Sequence, residues 1–247
     1  MLSKQQLSFV RSIHQKKFRQ MYGKFLVEGD KLVRELLQSS FKVDAIFKLK
    51  DWNADFEGKN ADVFEVSEDE LRKISTHESP NRVVAVAEIP DYKSQISTSK
   101  LEEGLYVVCD NLNDPGNAGA IIRTADWFGV KKVFFSEDSV DIYNPKVVNA
   151  AKGSLFRLEC ISVKLESLFE SNRHLKVYGA FMEGGNIYKI KLEKSAFILI
   201  GNEANGIRGE LLPFIQHKIA IPSFGGAESL NAAVAAGILM SEFKRNQ

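Results

Sequence analysis

Three short segments hold the residue types from which a binding site is made. Residues 113–123 read NDPGNAGAIIR, residues 201–207 read GNEANGI and residues 221–231 read IPSFGGAESLN. Each follows an apolar, β-like run: LYVVC at 105–109, AFILI at 196–200 and KIA at 218–220. In an open parallel α/β sheet, ligands bind in the crevice beyond the carboxyl ends of the strands. Polar clusters at three such ends can therefore converge on one site.

Each cluster has a chemical reading and a plainer one. In the first, Asp114-Pro115-Gly116-Asn117 has the composition of a turn, and Asn117 can cap the helix that follows. Ala118, Gly119 and Ala120 keep that helix thin enough for a ligand or another backbone to approach. Arg123 sits among Ile121, Ile122 and Ala125. It is either a buried ion-pair partner or a planar fork for a phosphate or carboxylate. In the second, Glu203 can receive a ribose hydroxyl or an amine; the alternative is an ion pair with Arg208 or another cation. In the third, Gly225 and Gly226 suit a loop that closes on a ligand, while Ser229 fits a helix N-cap. The run AAVAAG at 232–237 predicts close helix packing, against the core or against another subunit. No cluster contains GK[ST] or a GxGxxG opening the first βα unit, so a phosphate-binding loop and a nicotinamide site are disfavoured. No Ser-His-acid or Cys-His set stands out.

The elements that would carry these clusters follow from periodicity. Leu7, Val10 and Ile13 predict a helix over residues 3–17. Strands follow at 24–28, 43–49, 63–66 and 83–88, with helices at 31–37 and from Ser67, where Ser67 and Glu70 form a capping-box pattern. Residues 89–100 are polar and read as linker. From 105 onward strands and helices alternate: strands at 105–109, 132–135, 157–162, 176–181, 196–200 and 218–221, helices at 118–128, 144–151, 165–171, 208–214 and 230–243. That alternation predicts a mainly parallel sheet covered on both faces. The expected boundaries are residues 1–90, a linker at 91–103 and a second domain at 104–247.

Composition excludes several classes. Cys109 and Cys160 lie in apolar runs and read as buried thiols. His14, His77, His174 and His217 are scattered, so no metal is expected. Residues 1–15 hold no continuous apolar core of a secretory signal and no run is long enough to span a bilayer, which predicts a cytoplasmic protein without membrane contact. The net charge of +1 argues against a polybasic binder overall. Yet Arg11, Lys16, Lys17, Arg19 and Lys24 precede the first acid, Glu28. They are either a phosphate-contacting face or a solvated helix surface.

In this order, the clusters resemble the SpoU-type (TrmH-like) RNA ribose 2′-O-methyltransferases of the SPOUT class. The family pattern NxxDPxNxGxxxRTAxxFG meets NLNDPGNAGAIIRTADWFG at 111–129; GxExxG meets GNEANG at 201–206; IPMxGxxxSLN meets IPSFGGAESLN at 221–231. FLVEGDKLVREL at 25–36 and ESPNRVVAVAE at 78–88 are similar to the family's substrate-binding domain. Ser223 departs from the usual methionine. The resemblance implies a trefoil-knotted, parallel-sheet methyltransferase domain, a rare exception to unknotted chains, with a smaller N-terminal α/β RNA-binding domain. It implies S-adenosylmethionine as cofactor, held around Gly201, Ile221 and Leu230 with help from Glu203, Ser229 and Asn231. It also implies a homodimer, RNA as substrate (ribosomal favoured, transfer RNA the other option), and Asn117 and Arg123 as the essential pair. Under that resemblance Arg11, Lys16, Lys17, Arg19 and Lys24 are the expected RNA contacts. A non-catalytic RNA-binding relative and a nicotinamide-dependent oxidoreductase are the competing readings.

Overall fold

The computed structural model describes residues 2–54, 59–79, 81–92, 94 and 100–245. Part of the expected linker, residues 93 and 95–99, lies outside them. The chain divides into two compact units, Met1–Pro90 with Tyr143–Arg157, and Asp91–Ile142 with Leu158–Gln247.

The first unit is built on a mixed four-stranded sheet. Its order is β1 (Lys24–Glu28), β4 (Val83–Glu88), β2 (Val43–Lys48), β3 (Asp62–Glu65), antiparallel except for the β2–β3 pair. Val10, Ile13, Leu26, Phe47, Leu71, Ile74, Val84 and Val86 form a core cluster of this unit. The expected helix over 3–17 is two: α1 (Lys4–Ser12) and α2 (Lys16–Tyr22). Periodicity saw the buried face but not the break, because Arg19 supplies it from the next helix. Its Nη1 donates to the carbonyls of Ile13 and His14 at 2.9 and 2.7 Å, satisfying groups the helix end leaves open. α3 (Asp30–Leu37) and α4 (Glu68–Ile74) follow; at α4 both halves of the Ser67–Glu70 capping box form. Residues Tyr143–Arg157, expected in the C-terminal domain, pack in this unit. They carry α6 (Pro145–Ala151) and a 3₁₀ turn, and they place Tyr143 against Phe25 and Phe156 against Phe41.

The second unit holds a six-stranded, wholly parallel sheet ordered β10-β8-β9-β5-β6-β7. The strands are β5 (Leu105–Cys109), β6 (Lys132–Ser136), β7 (Glu159–Val163), β8 (Lys176–Asn186), β9 (Ala196–Ile200) and β10 (His217–Ala220). Every residue of β5 and β9 is buried, as central strands covered on both faces require. The helices are α5 (Pro115–Trp127), α7 (Leu165–Ser171) and α8 (Ala232–Arg245). The expected helix at 208–214 is a 3₁₀ segment, Gly209–Phe214, with Pro213 inside it. That proline has no N–H to donate and so disfavours a regular α-helix. Cys109 and Cys160 are both buried and free. Burial pushes both thiols far up, so neither supplies a nucleophile.

Candidate active site

All three polar clusters lie in the second unit, and sheet order explains why they meet. The crossover after β5 leads to β6 on one side; the connection after β9 leads to β10 on the other. The gap between these neighbours is therefore the topological switch point, where an open parallel sheet binds its ligand.

The α5 end of the site is fixed first. Asp114, not Asn117, caps this helix: its carboxylate accepts from the Asn117 backbone N–H at 2.7 Å. Pro115 occupies the first helical position, where its missing N–H costs nothing. The Asn117 side chain is thereby released for other work. At the α8 end the cap is Asn231 and not Ser229. Asn231 Oδ1 accepts from the N–H groups of Ala233 and Val234 at 2.9 and 3.3 Å. That turns its amide nitrogen away from the helix, and the nitrogen donates to Asn117 Oδ1 at 2.8 Å. Asn117 Nδ2 in turn donates to Glu203 Oε1 at 2.6 Å. One chain of donors thus runs from the third cluster through the first to the carboxylate of the second. Its direction is set by a helix end, since only an acceptor can face backbone N–H groups.

The loop that carries Glu203 is tied at both ends. Asn202 and Gly206 exchange backbone hydrogen bonds at 2.9 Å each way, and Asn202 Nδ2 donates to the Asn111 carbonyl at 2.8 Å. A Cβ on Gly201 would lie 2.3 Å from the Gly206 carbonyl carbon, so only glycine fits there. Past the loop, Arg208 donates through its backbone N–H and Nε to the fully buried Asp110 at 2.9 and 2.7 Å, and through Nη1 to Asp138 at 2.9 Å. Burial opposes the Arg208 charge, but the Asp110 hydrogen bond and charge outweigh it and raise the guanidinium pKa. The predicted alternative of a Glu203–Arg208 pair is thus excluded: Arg208 is committed elsewhere. Sequence reading named Arg208 but missed Asp110 as its partner; the two stand 98 positions apart and carry no local signature.

Beside this network opens a cavity of about 960 Å³. Gly201, Glu203, Ile221, Ser229 and Leu230 line it, together with Phe224, which is 93% exposed. Ser223, at the methionine position, folds its hydroxyl back onto the Gly225 carbonyl at 3.3 Å. Asn117 and Asn231 reach the site through Glu203. Arg123 is exposed on α5 while Ile121, Ile122 and Ala125 around it are buried. Among the described residues its side chain has no hydrogen bond or ion pair, so the buried-pair alternative fails. No group of three or more His, Cys, Asp or Glu among the described residues could hold a metal ion.

In the first unit the basic segment splits. Arg11, Lys16 and Lys17 are exposed. Arg19, expected to contact RNA, is 2% exposed and braces the α1–α2 break. Lys24, also expected at the RNA, pairs with Asp44. Position along the chain could not reveal either partner.

A model of the SpoU rRNA Methylase family matches residues 104–241, more than half of the chain. The chain belongs to this family. A model of the MRM3-like substrate binding domain matches residues 4–85. Among SpoU relatives, the 23S rRNA (guanosine(2553)-2′-O)-methyltransferase RlmP of Bacillus subtilis is 33% identical, over 93% of this chain and 92% of RlmP. A TrmH-family structure from Porphyromonas gingivalis superposes with a TM-score of 0.89 at 34% identity, covering 100% of both chains. The AdoMet-bound rRNA methyltransferase of Sinorhizobium meliloti gives 0.88 at 28% identity, covering 100% of this chain and 97% of that one. Among the described residues no helix is long and apolar enough to cross a membrane.

Proposed function

We propose that this chain moves a methyl group from S-adenosylmethionine to a ribose 2′-hydroxyl of ribosomal RNA. The observation that carries this is the Asn231–Asn117–Glu203 relay at the mouth of a glycine-walled cavity, placed at the switch point. The RlmP relationship over nearly the whole chain supports ribosomal over transfer RNA and catalysis over a binding-only relative.

The cavity fits the cofactor on its own terms. It lies within the ~300–1,000 Å³ range typical of ligand sites. Apolar Ile221 and Leu230 suit an adenine, and the Glu203 carboxylate suits a cationic or hydroxylated group. Gly201, Ile221 and Leu230 would hold the cofactor mainly through backbone, with Glu203 and Ser229 contributing side chains. When bound, the cofactor supplies a methyl group already activated on a sulfonium. The chain's own residues then have to align a weakly acidic hydroxyl and stabilise the charge it develops. Arg123 does this electrostatically: its planar guanidinium grips the neighbouring phosphate and offsets alkoxide charge. Asn117 and Asn231 fix the Glu203 carboxylate in one orientation.

The reading extends to a cytoplasmic homodimer whose residues 104–247 follow a knotted path, with residues 1–90 contacting RNA and 91–103 linking the two. Trp127 on α5 and Val234 on α8 are 85% and 51% exposed, apolar side chains on two helices that pack together, which supports a subunit contact there. Arg11, Lys16 and Lys17 are the RNA contacts that remain after Arg19 and Lys24 are set aside. Incubation with labelled S-adenosylmethionine and unmodified 23S rRNA, followed by mapping of ribose methylation, tests the proposal. Label at a single ribose supports it; label on a base, or none, overturns it.

A further inference from the structure

Lys152 has φ 55° and ψ −150°. That region is nearly reserved for glycine, because a Cβ crowds the backbone there. The neighbouring glycine answers a different need. A Cβ on Gly153 would lie 1.4 Å from Glu35 Oε2, so a side chain at 153 would displace the Glu35 carboxylate, and no positive φ calls for glycine there. The turn is locked on both sides. Ala151 is buried before it; Gly153, Ser154, Leu155 and Phe156 are buried after it, and Arg157 Nη1 holds the same Glu35 oxygen at 2.9 Å. A fold that only needed this turn would be served better by glycine at 152. The chain places there a long cationic side chain, exposed and, among the described residues, without a hydrogen bond or ion pair. Glu35, the carboxylate beside the turn, is already taken by Arg157. A helix C-terminus favours a cation nearby, but it does not require one at a strained angle.

The segment carries further exposed polar groups. Exposed Lys146 lies on the same helix, and Asn149, one turn before Lys152, meets the exposed His77 ring at 3.2 Å. We infer that Lys152 is a phosphate-contacting residue for the RNA substrate, presented by a backbone turn whose strain is retained for that contact. This rests on the reading of the chain as an RNA-modifying enzyme. It adds Tyr143–Arg157 to the RNA-binding surface, although that segment lies beyond the substrate-binding match at 4–85.

The test is a matched pair in the full-length protein, Lys152→Ala and Lys152→Gly. Both remove the charge; only glycine also removes the strain. Binding to transcribed 23S rRNA is measured across a salt series, with S-adenosylmethionine affinity as a control. Both variants weaken RNA binding roughly three- to tenfold and lower the slope of log affinity against log salt by about one. Lys152→Arg keeps near wild-type affinity. Lys152→Gly melts about 2–4 °C above Lys152→Ala, the shift expected when strain is relieved in a chain of this size. Wild-type affinity and slope in both variants would overturn the inference alone, while the wider reading stands. If the unmodified protein itself binds no 23S rRNA, that wider reading falls and this inference falls with it.

Discussion

Arg123 is the residue whose environment says most about its task. It stands exposed on a helix whose neighbouring side chains are buried, and no carboxylate among the described residues neutralises it. Its removal therefore costs the fold little, within the ~0.5 kcal/mol typical of surface positions. Catalysis depends on it far more. Arg123→Ala should lower kcat about 100-fold or more, as loss of a charge-stabilising donor does. Cofactor affinity, measured by calorimetry, and Tm should both stay near wild type. Arg123→Lys should recover little, since an ammonium lacks the planar fork. Near-normal turnover in either variant would remove Arg123 from the reaction; a large fall in Tm would make it a structural residue. Asn117 and Asn231 differ from it in kind. Each has one face on a helix end or carboxylate and so positions other groups.

At the level of elements, two short segments carry separable work. The loop from Gly201 to Gly206 is closed on itself so tightly that a single methyl group would force it open. Gly201→Ala should abolish cofactor binding by equilibrium dialysis while RNA affinity persists; retained cofactor affinity would show that the loop does not shape the site. The α1–α2 pair makes the opposite case. Arg11, Lys16 and Lys17 point to solvent, so replacing all three with alanine should flatten the salt dependence of RNA binding by roughly three counterions and leave Tm unchanged. Arg19→Ala should instead lower stability by about 1.5–3 kcal/mol, because two carbonyls lose a charged donor. Denaturant melts of the two variants distinguish these roles. An unchanged salt slope in the triple variant would return this face to plain solvated surface.

For the molecule as a whole, the compact units do not follow the order of the chain. Residues 1–90 complete their unit only with Tyr143 and Phe156, whose rings meet Phe25 at 4.7 Å and Phe41 at 5.4 Å. Each such pair contributes ~0.5–1.5 kcal/mol beyond burial alone. A fragment of residues 1–90 should therefore unfold at a clearly lower temperature than the same strands do in the full chain. Hydrogen exchange at β1 and β4 reads this directly. Equal protection in fragment and full chain would mean that the returning segment adds nothing to the unit.

Periodicity and turn chemistry, read from the sequence, were enough to place most strands within two residues, the parallel sheet and the three clusters that meet in one site. Strand alternation, buried-strand composition and glycine positions are local properties, and local properties are written in consecutive residues. What lay hidden were the individual side-chain pairs made by partners far apart in the chain. The Asp110–Arg208 tie, the Arg19 brace and the Lys24–Asp44 pair join side chains whose proximity exists only after folding. The same holds for the caps. Asn117 and Ser229 both had cap chemistry, yet Asp114 and Asn231 took the role. The choice between adjacent polar residues depends on where the helix axis comes to lie, and packing decides that, not composition.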